Sequence, residues 1–171
     1  EPEPEPEPEP GPVIVEFTIN SVYGNSGDST ALQISEITFY DASNTITPVL
    51  SATGQNLETS NVSGYESQSL DKCYDGIFNT KWYTGSTTNG KITFYIRGTP
   101  TKYKWRTASD NELYGRTLEG WTTTIGNDVI TQYIDHSTQI IHDNTYYPYH
   151  GMTDDIPETD DGDGQGNNSI V

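Results

Sequence analysis

The 171-residue chain carries 25 Asp and Glu against 8 Lys and Arg, a net charge of −17, and only 31% of its residues are hydrophobic. That balance excludes a nucleic-acid partner, whose phosphates need a basic footprint, and disfavours an anionic membrane surface. No apolar run approaches the roughly 18 residues of a membrane-spanning helix, and the lone Cys73 cannot form an internal disulfide.

The charge is uneven along the chain. Eleven of the 25 acids lie in Glu1–Pro10 and Gly151–Val171, and neither end holds a Lys or Arg. The middle carries 14 acids against 8 bases, a net of −6. Residues 1–11 form a Glu-Pro repeat closed by Gly11. Proline fixes φ and removes every second backbone donor, so this segment is expected to be an extended polyproline-II spacer. Residues 151–171 read as an acidic Gly/Asp-rich tail, in which Asp161-Gly-Asp163-Gly-Gln165 matches only half of an EF-hand loop. Between them, residues 12–150 are enough for one packed domain. Without an initiator Met or a signal sequence, the chain reads as a processed product or a segment of a longer protein. Asn61-Val-Ser63 and Asn167-Asn-Ser169 are glycosylation sequons for a secreted eukaryotic protein.

Val13 to Ile19 alternates cleanly, with Val13, Val15, Phe17 and Ile19 on one face. After a polar loop at 20–30, Leu32–Tyr40 predicts a second strand whose parity changes midway. Leu32 and Ile34 share one parity, Ile37 and Phe39 the other, which predicts a β-bulge at Ser35-Glu36 or a strand that crosses between faces. Residues 41–47 read as a turn and 48–64 as irregular. Residues 66–74 are the one plausible helix, with Leu70 and Tyr74 together. Strands are expected at 91–97, with Ile92, Phe94 and Ile96 inward, and at 103–107, with Tyr103 and Trp105 inward. Further extended segments are expected at 120–124, 128–135 and 138–142. Many short strands with turn signals between them predict an all-β antiparallel sandwich or barrel.

The most informative stretch is Asp71–Gly85, DKCYDGIFNTKWYTG. Asp75 and Thr80 place two oxygen side chains in a short loop that Trp82 would anchor to a core. Hard cations such as calcium take six to eight oxygens from such groups, whereas an ordinary Asp-Gly turn would serve only as a connection.

The run YDGIFNTKW resembles the DG-x-x-x-T-x-W signature of discoidin-like domains, the coagulation factor 5/8 type C family with its galactose-binding-like relatives. Thr107-Ala108, Asp110, Arg116, Trp121 and Gly126-Asn127-Asp128 are similar to the family's next signature, in the right order. Ala31–Asp41, ALQISEITFYD, resembles the strand that closes such domains, yet here it precedes Asp75. The resemblance therefore implies a circularly permuted jelly-roll sandwich, with residues 13–40 supplying the usual C-terminal hairpin. It further implies a structural calcium ion held by Asp75, Thr80 and Glu36 with loop carbonyls, and core positions for Trp82 and Trp121.

In such folds sugars bind on loops at one end of the sandwich. The candidates are Tyr83, Arg106, Asp110, Asn111, Tyr114 and Arg116, an aromatic face with planar donors of the kind a pyranose needs; each could equally be a solvated or structural loop residue. His136, His142 and His150 lack zinc spacing, and no nucleophile elbow, nucleotide loop or carboxylate pair marks an enzyme. The expectation is a non-catalytic, calcium-stabilised module that binds a cell-surface or polysaccharide glycan. Its place would be extracellular, at a cell surface or on a virion. The alternative is a decoration or assembly module of a virion, fibre or surface layer that binds protein.

Overall fold

A computed structural model describes residues 10–24, 30–57, 68–87, 89–111, 115–136, 146–147 and 150–152. Among them the fold is all-β and entirely antiparallel. A five-stranded sheet runs in the order β4 (Val49–Gln55), β6 (Lys91–Ile96), β1 (Val13–Tyr23), β8 (Thr117–Ile125), β9 (Asp128–Tyr133). A three-stranded sheet runs β10 (His150–Gly151), β7 (Lys102–Arg106), β3 (Glu36–Tyr40), and β2 (Leu32–Ile34) pairs with β5 (Trp82–Thr84).

The two larger sheets close face to face on the alternate residues that the sequence pattern picked out. Phe17 of β1 meets Tyr103 of β7 with ring centroids 5.1 Å apart, and Phe39 of β3 meets Phe94 of β6 at 5.2 Å. Trp105 of β7 sits edge-on to Trp121 of β8 at 6.0 Å. All six rings are essentially fully buried. Each aromatic removes some 150–250 Å² from water, so this layer dominates the packing energy of a sandwich. Trp82 is 4% exposed and joins the same core.

Several expectations are corrected here. The parity change at Ser35-Glu36 is neither a bulge within one strand nor a drift between two exposed faces. The chain passes from one sheet to another, β2 pairing with β5 and β3 with β7, and Ser35 lies at the passage. Residues 13–40 are not a hairpin either, because β1 lies between β6 and β8 while β3 lies in the opposite sheet. Residues 49–55 form a strand rather than irregular chain. VLSATGQ has few β-formers, but it is held on the edge by the regular ladder of β6. The expected helix is only a four-residue 3-10 turn, Leu70–Cys73, with residues 58–67 outside the described residues. Strands β1 and β8 are longer than their apolar patterns because each supports the other across Ser21 and Gly120. The expected strand at 138–142, both sequons and the acidic tail after Met152 lie outside the described residues.

Candidate functional site

The loop between the 3-10 turn and β5 is organised by Asp75. Its carboxylate accepts the backbone N–H of Ile77 at 2.9 Å and the Thr80 hydroxyl lies 3.0 Å from both of its oxygens. Gly76 follows with φ of 72°, a left-handed turn that glycine adopts without penalty. That turn aims the Gly76 N–H at Glu36 Oε2, 3.1 Å away and forty residues earlier in the chain. Asp75, Thr80 and Glu36, singled out together in the sequence, are thus neighbours in space.

Glu36 is 4% exposed at the start of β3 and stands opposite Arg106 of β7. Burial pushes its carboxyl up to about 7, with the Gly76 N–H and Arg106 opposing the rise and Asp75 adding to it. Lys72 Nζ lies 3.4 Å from Asp75 Oδ2 on the other side. Two carboxylates, a hydroxyl and the carbonyls of a tight loop are the oxygen donors a hard cation takes. Among the described residues no group of three or more His, Cys, Asp or Glu side chains is placed to hold a metal ion, so any ion here would rely on hydroxyl, carbonyl and water oxygens for the rest of its shell.

Behind the loop stands Ser35, which the sequence marked only by its change of parity. Its hydroxyl lies 2.9 Å from the Phe78 carbonyl and 3.0 Å from the Thr80 carbonyl. Its N–H donates to the Arg106 carbonyl at 2.9 Å. The passage between sheets therefore pins the loop from beneath.

The six candidate ligand residues do not gather at one place. Tyr83, Asp110, Asn111 and Arg116 lie around buried Gln33, which faces Tyr83 across the β2–β5 pair. The Gln33 amide donates to Asp110 at 2.7 Å and to Asn111 at 2.9 Å. Lys81 Nζ lies 2.6 Å from Asp110 and 3.3 Å from the Gln33 carbonyl oxygen. Asn111 is fully buried, and its carbonyl oxygen also accepts the Ala108 N–H at 3.1 Å. Arg116, at φ of 38°, turns its carbonyl to the Gln33 N–H at 2.8 Å and holds its guanidinium 5.2 Å from the centre of the Tyr83 ring. Asp110 and the Asn111 carbonyl oxygen are thus engaged within the protein, whereas the buried Asn111 Nδ2 has no hydrogen-bond partner among the described residues. Tyr114 lies outside the described residues.

Arg106 is on the other flank of the loop. Its guanidinium lies 4.8 Å from the Phe78 ring centre and 5.6 Å from that of Tyr146, and Nη1 donates to the Phe78 carbonyl at 3.1 Å. The two rings meet edge to face at 6.0 Å. Phe78 is 50% and Tyr146 37% exposed, so this is an aromatic surface open to solvent. Sequence reasoning missed both. Phe78 is one of the unspecified positions of the DG-x-x-x-T-x-W run, and Tyr146 has no motif around it.

With this geometry in hand, comparison with known proteins adds no relative: no family model, curated protein or solved structure matches the chain.

Proposed function

We propose that the protein is a non-catalytic carbohydrate-binding module of the discoidin-like jelly-roll type, its Asp75–Trp82 loop stabilised by calcium. The observation that carries this reading is the convergence of Glu36 with Asp75 and Thr80 across forty residues, beside an open aromatic surface. The carboxylates of Glu36 and Asp75 would hold the ion with Thr80 Oγ1 and loop carbonyls. Its charge would relieve the cost of ionising buried Glu36 next to Asp75. Calcium would fix the loop and take no part in chemistry. The glycan would be carried by cell-surface or extracellular polysaccharide, and an acidic chain that opens on a Glu-Pro repeat suits presentation there or on a virion.

A second reading has its own support. Val129 and Tyr133 are 63% and 59% exposed on β9, an edge of the five-stranded sheet among the described residues. An apolar edge strand is a template for pairing with another chain, which favours an assembly or decoration module.

One experiment separates the two. The full chain is applied to a glycan array in calcium and in chelator, with melting temperature followed in parallel. Calcium should raise the melting temperature and support binding to a related set of glycans, and Asp75→Ala should abolish both effects. A folded protein that ignores both calcium and every glycan overturns the first reading. Concentration-dependent self-association, lost on Val129→Lys, would then support the second.

A further inference from the structure

The outer face of β7 holds more than Arg106. Lys104 lies two residues away on the same face, about 6–7 Å along the strand, and stands opposite Thr38 of β3. Tyr146 is bridged to Arg106 by the backbone, and its ring centre lies 5.6 Å from the Arg106 guanidinium. Its hydroxyl hydrogen-bonds Thr38, and Glu36, Arg106 and Lys104 all act on it electrostatically. Phe78 and Ile77, 50% and 53% exposed, stand at the tip of the Asp75–Thr80 loop, with Phe78 against Tyr146. Two cations, two aromatic rings and a threonine hydroxyl therefore share one surface in a chain with only 8 basic residues. The acid nearest to it in the register, Glu36, is buried.

We infer that Phe78, Tyr146, Arg106 and Lys104 form the platform on which the protein holds a negatively charged sugar residue. The inference deepens the glycan reading and rests on it. The apolar face of a pyranose stacks on an aromatic ring, and the exposed part of Phe78 offers that area without unfolding anything. A carboxylate or sulfate on the same sugar is what a guanidinium with planar paired donors recognises, with Lys104 as the second positive charge. The chain's overall negative charge does not oppose this at physiological salt. Charges beyond the Debye length of about 8 Å are largely screened, so the contact is governed by Arg106 and Lys104 together with nearby Glu36, whose charge a bound calcium ion would offset. Uronic, sialic and sulfated sugars share this chemistry, and the test below distinguishes them.

The full chain is applied in calcium to an array of uronate, sialylated and sulfated saccharides printed beside their neutral parents. Affinity for the best ligand is then measured by calorimetry. The expected result is binding to one acidic class, at least about tenfold weaker for the neutral parent. Phe78→Ala should weaken it by about tenfold with an unchanged melting temperature, because the ring is half exposed. Lys104→Gln should weaken it severalfold and flatten its dependence on salt. A preference for neutral saccharides, or binding indifferent to Phe78→Ala and Lys104→Gln, overturns this platform and leaves the glycan reading standing. The absence of binding to any saccharide, acidic or neutral, overturns both.

Discussion

The two flanks of the Asp75–Trp82 loop are built from similar residue types and do opposite things with them. On the Lys81 flank, the Gln33 amide bonds Asp110 and the Asn111 carbonyl oxygen, Lys81 pairs with Asp110, and Arg116 lies over Tyr83. On the Phe78 flank, Arg106 touches two rings that remain open to water. Polar side chains that are buried must find partners within the protein, and once they do they define its shape. An exposed aromatic pair has no such obligation. A guanidinium over a tyrosine is thus no guide to ligand binding by itself; what differs is how far the rings beside it are exposed to solvent.

Acid should break the comparison most strongly. Tyr146 reaches the Phe78 flank on the segment that ends in β10, where His150 packs between Tyr103 and Trp121. Burial pushes the His150 imidazole down to about 4 from its ordinary 6.5. As pH falls, the unfolded chain takes up this proton first. The stability conferred by neutral His150 is therefore complete above about pH 6.5 and is lost as pH falls through about 4, to an extent of about 3 kcal/mol. Urea unfolding at pH 7 and pH 4 should show that much more loss in the wild type than in His150→Phe, which cannot titrate. Equal acid losses in the two proteins would remove His150 from the account.

A middle-sized effect separates the flanks directly. Asn111→Ala strips a partner from the Gln33 amide and from the Ala108 N–H, both in buried surroundings, and should cost about 1–3 kcal/mol in denaturant unfolding. Phe78→Ala should stay within about 0.5 kcal/mol of wild type. If Phe78→Ala proves the more destabilising, the open flank is structural after all. On the closed flank, a smaller effect than that of Asn111→Ala belongs to Lys81→Gln. It breaks a part-buried pair with Asp110, and the loss should be at most about 1 kcal/mol and shrink in salt.

How far the sequence reached differs from residue to residue. The alternation of Val15, Phe17 and Ile19, and of Ile92, Phe94 and Ile96, marked the inner faces because side chains on a strand alternate with period two. β4 escaped notice because VLSATGQ lacks that signal and owes its place to β6. Asp75, Thr80 and Glu36 were singled out together through the family resemblance; in the fold Thr80 bonds Asp75, and Glu36 reaches the same loop through the Gly76 N–H. Asp110 and Asn111 were offered as ligand residues because such groups suit a sugar; in the fold Asp110 and the Asn111 carbonyl oxygen accept from Gln33, while the Asn111 amide nitrogen is buried without a partner among the described residues. Phe78 and Tyr146, 68 residues apart by number, had nothing local to join them.

By itself, then, the sequence determined the all-β class, the inward faces of the regular strands, and the local turn of the Asp75–Thr80 loop. Each of these follows from periodicity or from contacts within a few residues. Only the tertiary structure decided that Ser35 carries the chain from one sheet to another, that Glu36 lies under Gly76, and which arginine faces open aromatics. Those depend on strand pairing between distant segments. A one-residue change in such pairing turns every side chain to the opposite face, and no local pattern encodes which neighbour it will find there.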